Sequence, residues 1–284
     1  MLSYRHAFHA GNFADVLKHI ALVAALGAMT RKPKPVFYLE THAGAGRYPL
    51  TPGSGDEADG GIVRLLAASS APAAVRPYLD SVRAGNPRGQ LRRYPGSPLI
   101  ARTLLRADDR LQLHELHPRD HATLATLFKP HRQARVHQSD GLAALKSALP
   151  PPERRALILI DPPYERVQEY REVPAALKEG LRRFATGVYL LWYPRLSPDT
   201  AAPMLQLLAR TLARPTLRLE LALGPPGDRP GMEACGMLIV NPPYGLGAAL
   251  QEVLPWLAHE LGRPGGEGRI DWLIPECPSA SAPE

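Results

Sequence analysis

The run Ala156-Leu157-Ile158-Leu159-Ile160, followed at once by Asp161-Pro162-Pro163-Tyr164, constrains this chain most. A short apolar run with β-branched residues, stopped by two prolines, predicts a strand buried on both faces, the kind found in a parallel sheet covered by helices. Sheets of that kind do chemistry at the C-terminal ends of their strands. There the chain delivers a carboxylate, a rigid turn and an aromatic ring. The set suits the exocyclic amino group of a flat, extruded base: Asp161 and the Pro162 carbonyl can accept N–H bonds, the prolines fix the backbone, and Tyr164 offers a stacking face.

The tetrapeptide resembles the catalytic motif of amino-group methyltransferases, but Asn241-Pro242-Pro243-Tyr244, behind Met237-Leu238-Ile239-Val240, has the same form. Upstream signals separate the two. Val36-Phe37-Tyr38-Leu39-Glu40 reads as a strand running into Thr41-His42-Ala43-Gly44-Ala45-Gly46, where Gly44 and Gly46 allow a tight turn and close approach to the methionine part of S-adenosylmethionine. The next strand, Leu111 to Glu115, ends in an acid placed for ribose hydroxyls. Gln133 to His137 leads to Ser139-Asp140-Gly141, where Asp140 can accept from an adenine amino group. The order is glycine turn, ribose acid, adenine acid, then Asp161. Asn241 follows the last apolar run, after Gly187 to Trp192 and Leu217 to Leu223, and reads as a strand stop with Pro at a helix start.

On these residues the chain resembles the bacterial 23S ribosomal RNA adenine-N6 methyltransferases of the J type. The similarity is carried by Met1-Leu2-Ser3-Tyr4-Arg5-His6, Phe8-His9-Ala10-Gly11-Asn12, Asp15-Val16-Leu17-Lys18-His19 and Thr41 to Tyr48. It continues through Tyr94-Pro95-Gly96-Ser97-Pro98, Glu115-Leu116-His117-Pro118 and Leu191-Trp192-Tyr193-Pro194, ending near Pro275. The resemblance implies a Rossmann-like class I S-adenosylmethionine-dependent methyltransferase α/β sheet, with methyl transfer to N6 of an adenine in 23S ribosomal RNA. It further implies that His19, His42, Ser97, Glu115, Asp140 with Gly141, and Asp161 contact S-adenosylmethionine or line its pocket. Asp161 is implied as the proton acceptor and Tyr4 as an RNA contact.

Between Thr51 and Pro95 strand character disappears. Ser54-Gly55-Asp56 caps a helical stretch through Leu65-Leu66, Ala71 to Val82 gives another, and Gly85-Asn86-Pro87-Arg88-Gly89 breaks it. The expected organisation is a methyltransferase domain of 1–52 and 96–284 with a small inserted helical subdomain at 53–95, near the RNA entrance.

The net charge of +7 suits a polyanion, and 28 of the 34 basic residues are Arg, which forks phosphates and stacks on bases. The same bias follows from a GC-rich genome, so the sharper signal is the head of the chain. There Tyr4, Arg5, His6, Phe8, His9, Lys18 and His19 interleave rings with charge, which nominates Tyr4, Arg5 and Lys18, with Tyr164, as substrate contacts.

Cys235 and Cys277 lack paired spacing, and His114 and His117 do not make a helical zinc motif, so no metal is expected and a reducing compartment is. The apolar stretch Ile20 to Met29 is too short to cross a bilayer, and a cytoplasmic monomer acting on free or early-assembly 23S ribosomal RNA is the expectation. Three rivals stay open: a DNA adenine-N6 methyltransferase, a protein-glutamine methyltransferase, and a catalytically silent RNA-binding assembly factor.

Overall fold

The computed structural model describes residues 6–51, 53, 57–196, 199–225, 232 and 234–276. Eight strands form the main sheet, numbered here in chain order. They are β1 (Phe37–Glu40), β2 (Arg110–His114), β3 (Ala134–His137), β4 (Ala156–Ile160), β5 (Val188–Arg195), β6 (Thr216–Ala222), β7 (Ala234–Val240) and β8 (Glu267–Ile274). Their spatial order is β8-β6-β7-β5-β4-β1-β2-β3. Strands β3, β2, β1, β4 and β5 run parallel, β7 runs antiparallel between β5 and β6, and β8 is antiparallel to β6. From β1 the chain winds outward through β2 and β3, then returns to β4 on the other side. The crevice between β1 and β4 is therefore the topological switch point, where sheets of this kind bind ligands. Every residue of β1 and β4 is buried, as the unbroken apolar run of β4 predicted for that strand.

The alternating faces of these strands build two cores. Tyr38, Leu111, Leu113, Leu157, Leu159 and Leu190 point to one side, where they meet Val16, Leu17, Ile20 and Leu26 of helix α1 (Phe13–Thr30). Phe37, Leu39, Ile158, Ile160, Tyr189 and Leu191 point to the other, against Val173 and Leu177 of the helix Glu169–Arg183. Each face being covered is what lets a parallel sheet exist in water.

Helix α1 begins where Asn12 accepts hydrogen bonds from the N–H groups of Ala14 and Asp15, a side-chain cap for two otherwise unpaired donors. Its apolar length exceeds the ten-residue stretch read from the sequence: by length and composition alone it could cross a membrane. The fold uses it differently. Most of the helix is buried inside the protein, and Asp15, Lys18 and His19 in its first turns are buried with it.

Between Arg47 and Pro95 the chain leaves and re-enters through a two-stranded ribbon, Arg47–Pro49 against Arg93–Pro95. The segment it encloses carries the turns Asp59–Val63 and Arg64–Ala67 and the helix Arg76–Ala84. That helix starts later than the sequence suggested, beside Pro77, which needs no helical N–H donor in its first turn. Ile62, Leu65, Tyr78, Leu79 and Val82 from this segment lie in the same core as α1.

One glycine fixes how close the elements around the switch point can come. A Cβ on Gly141, at the start of the helix Gly141–Ser147, would overlap the backbone carbonyl of Thr41 just after β1. Gly141→Ala is expected to lose about 1–3 kcal/mol of stability through this overlap. Urea denaturation measures it; a midpoint equal to wild type would show that the helix has room to move away.

Candidate active site

The loop after β1 is the centre on which the site converges. The N–H of Thr41 donates to the Leu159 carbonyl of β4 (3.1 Å), and that of Ala43 to the His114 carbonyl of β2 (2.9 Å). The loop thus bridges both neighbours of β1 at their C-terminal ends. Gly44 and Gly46 take φ of +59° and +75°, a region that side-chain-bearing residues rarely adopt, which accounts for glycine at both positions. The Tyr48 hydroxyl accepts from the Ala45 N–H (3.2 Å) and occupies the space a Cβ on Gly44 would need.

Glu115, just past β2, turns back onto this loop. One carboxylate oxygen accepts from the Gly44 N–H (2.8 Å) and the other from the His117 N–H (2.7 Å). Burial raises its pKa, against the effect of these two bonds. A carboxylate has about four acceptor sites, so two lone pairs remain for a ligand's hydroxyls. Asp140 caps the helix Gly141–Ser147 through one oxygen, which accepts from Leu142 (2.8 Å) and Ala143 (3.4 Å), and it is exposed. His42 bonds Thr41 Oγ1 through Nδ1 (2.7 Å), and burial lowers its pKa to about 4. His42, Gly44, Gly46, Ser97, Glu115, Asp140, Gly141 and Asp161 are therefore gathered around one loop, from segments far apart in sequence.

Asp161 leaves the end of β4 and meets α1. The Lys18 ammonium lies 2.6 Å from Asp161 Oδ2 and 2.8 Å from Asp15 Oδ1. Asp15 in turn accepts from the Gly11 N–H (2.9 Å) and pairs with His6 (2.9 Å). Burial works against the charge on Lys18, but the two carboxylates more than offset it and hold its pKa well above the usual lysine value. Burial likewise opposes the Asp15 charge, and His6 and Lys18 hold that carboxyl well below its usual range. The sequence assigned Lys18 to substrate contact. The structure instead buries it as the partner of Asp161, because an apolar helix face leaves the ammonium no path to solvent. Tyr4 and Arg5 lie outside the described residues.

Tyr164 also departs from its expected place. Its φ of +51° turns the ring inward. It packs 4.6 Å from Tyr170 and 6.0 Å from Trp192, and its hydroxyl donates to the Trp192 carbonyl (3.2 Å). The ring is buried in the second core and anchors the Asp161 turn rather than offering an open face.

Asn241 to Tyr244 lies at the other edge of the sheet. Because β7 is antiparallel to β5, Val240 pairs with Tyr189 near the start of β5, whereas Ile160 pairs with Leu191 further along it. The Asn241 amide donates to the carbonyls of Ala185 (3.0 Å) and Gly187 (2.8 Å), tying a loop, and Tyr244 is 98% exposed. This copy thus lies away from the switch point, with its amide donors occupied.

Comparison with known proteins identifies the family. A family model described as ribosomal RNA large subunit methyltransferase D, RlmJ, matches residues 33–274. The chain belongs to the RlmJ family. Ribosomal RNA large subunit methyltransferase J of Escherichia coli is 47% identical over 281 residues, covering 97% of this chain and all of the relative. The protein of the same description from Haemophilus influenzae is 43% identical, with the same coverage. A crystal structure of a Legionella pneumophila protein superposes with a TM-score of 0.87 at 39% identity, covering 93% of this chain and 98% of that one.

Glu40 is a residue beside this site, in a chain of the RlmJ family, that sequence reading missed, as it missed the role of Asp15. It ends β1 fully buried, accepting from the Tyr38 hydroxyl (2.8 Å) and from Ser97 Oγ. Burial raises its pKa from 4.5 to about 8, with the nearby Asp161 charge adding to the effect. Unfolding then releases a proton between those values. The neutral carboxyl favours the folded state fully below pH 4.5, and that contribution disappears as pH rises through about 8. Glu40→Gln in ligand-free protein is expected to flatten the fall in melting temperature between pH 5 and pH 8. Parallel pH profiles for the two proteins would contradict a neutral Glu40.

Proposed function

We propose that this protein transfers the methyl group of S-adenosylmethionine to the exocyclic N6 of an adenine in 23S ribosomal RNA, with Asp161 and the Pro162 carbonyl holding the amino group. Family membership makes it an S-adenosylmethionine-dependent methyltransferase of large-subunit ribosomal RNA. The observation that carries the choice of residues is Asp161 at the switch point, one carboxylate oxygen fixed by Lys18 and the other without a hydrogen bond among the described residues.

The residues present fit the cofactor. Glu115 is fixed beside the glycine turn with lone pairs to spare. Buried His19 supports the fit further. Its Nδ1 bonds the Tyr94 hydroxyl (2.7 Å), its Nε2 has no partner, and burial lowers its pKa to about 3, so the ring is neutral. A buried nitrogen without a partner is costly unless a ligand or water reaches it. On this reading Glu115 takes the ribose hydroxyls, Asp140 and Gly141 face the adenine, and His19, His42 and Ser97 line the remaining wall.

S-adenosylmethionine supplies an electrophilic methyl group on a sulfonium. The adenine amino nitrogen is a poor nucleophile while its lone pair is delocalised into the ring. Two acceptors that hold its hydrogens favour a more pyramidal nitrogen, and Asp161 Oδ1 with the Pro162 carbonyl provide them. The prolines and the buried Tyr164 keep that pair in place, so the rate comes from positioning and electrostatics. The departing proton passes to Asp161 or through it to water. Flipping the base costs a few kcal/mol, which contacts elsewhere on the RNA must offset. We read residues 53–95 as a helical subdomain inserted in the methyltransferase domain, and the protein as a cytoplasmic monomer acting on free or early-assembly RNA.

Transfer of labelled methyl groups to 23S ribosomal RNA lacking the modification tests the choice of loop. Asp161→Asn is expected to cut turnover on the order of 100-fold with cofactor affinity near wild type. Asn241→Ala is expected to lower stability by about 1–3 kcal/mol through the lost amide bonds, with normal turnover of the folded protein. The reverse pattern would move the chemistry to the other edge of the sheet.

A further inference from the structure

The ribbon Arg47–Pro49 and Arg93–Pro95 carries the same tripeptide, Arg-Tyr-Pro, on both strands, paired Arg47 with Pro95, Tyr48 with Tyr94 and Pro49 with Arg93. Residues opposite one another in an antiparallel pair share a face, and neighbours along a strand alternate. Both tyrosines therefore point inward together and are buried. Both arginines lie on the outer face and are exposed. They are diagonal neighbours, roughly 7–8 Å apart by strand geometry. Neither guanidinium has a hydrogen-bond or ion-pair partner among the described residues.

The ribbon is also continuous with the site. Arg47 follows Gly46 of the cofactor turn, and Pro95 is followed by Gly96, whose N–H donates to the Gly46 carbonyl (3.0 Å), and then by Ser97. The Tyr94 hydroxyl bonds His19, and the Tyr48 ring meets His6 edge-on at 4.9 Å. The inward tyrosines thus clamp the ribbon to His19 and His6, and hold its outward face in place beside the glycine turn. Two like charges this close, unpaired among the described residues, cost stability in the free protein. A polyanion laid over them removes that cost, and Arg is the side chain that forks phosphate oxygens.

We propose that the outer face of this ribbon is an RNA-backbone contact, with Arg47 and Arg93 each binding a phosphate of the strand that carries the target adenine. The proposal rests on the ribosomal RNA reading above and assigns it two positioning residues. Phosphate contacts of this kind set the register of the nucleic acid and carry no sequence information. Arg47 and Arg93 accordingly place the RNA, while Asp161 acts on the base.

The test is a salt titration of 23S ribosomal RNA binding by the full chain, wild type against the double variant Arg47→Gln/Arg93→Gln. Two lost phosphate contacts flatten the slope of log affinity against log salt by about 1.4 to 1.8. The loss appears as a raised KM for RNA, with affinity for S-adenosylmethionine at the wild-type value. Both side chains are exposed, so the variant folds, and its melting temperature checks this. Lys32→Gln/Lys34→Gln, which removes the same charge from the exposed loop before β1, is the control and keeps the wild-type slope. A wild-type slope in the ribbon variant, or equal flattening in the control, overturns the ribbon contact while wild-type methyl transfer leaves the activity standing. Wild-type protein that neither binds nor methylates this RNA overturns both.

Discussion

The site depends on one buried cation, the Lys18 ammonium held between Asp15 and Asp161. Removing an ammonium from water costs several kcal/mol, and a low-dielectric interior keeps it charged only when carboxylates face it at hydrogen-bond distance. That requirement ties the first turns of α1 to the end of β4, which are 143 residues apart in sequence. It also ties both to the segment before α1, because Asp15 pairs with His6 and the Gly11 N–H as well as with Lys18. The Asp161 carboxylate is thereby fixed through a helix on one face of the sheet, with the buried Tyr164 holding its turn on the other.

What the sequence made legible was whatever depends on local pattern. The apolar run of β4 read as a buried parallel strand, Val36 to Glu40 as a strand, and the glycines at 44 and 46 as a tight turn. Their chain order placed Glu115, Asp140 and Asp161 at one crevice. Antiparallel β7 then separates the two Pro-Pro-Tyr motifs by placing them at opposite edges.

Other features depend on partners far along the chain, and these were not legible. Lys18 has the look of a surface cation until the position of Asp161 is known. Glu40 is an ordinary strand end until Ser97 arrives from 57 residues away to bond it. Tyr164 reads as a platform because an aromatic after Pro-Pro is suited to one, yet its positive φ sends the ring into the core. The edge strand β8 and the Arg-Tyr-Pro ribbon were overlooked for a simpler reason: both are short or half-exposed and lack an apolar run.

Chemically, the account comes down to which atom receives the methyl group. An oriented carboxylate and a rigid carbonyl at a switch point are acceptors, and the proposed reaction has them serve a substrate nitrogen that bears hydrogens. The most direct measurement is to incubate the protein with S-adenosylmethionine and 23S ribosomal RNA lacking the modification, digest the RNA, and identify the methylated nucleoside by mass spectrometry. The structure of the site predicts N6-methyladenosine. A ribose-methylated nucleoside, a methyl on a ring nitrogen, or label found only in DNA or protein would contradict it.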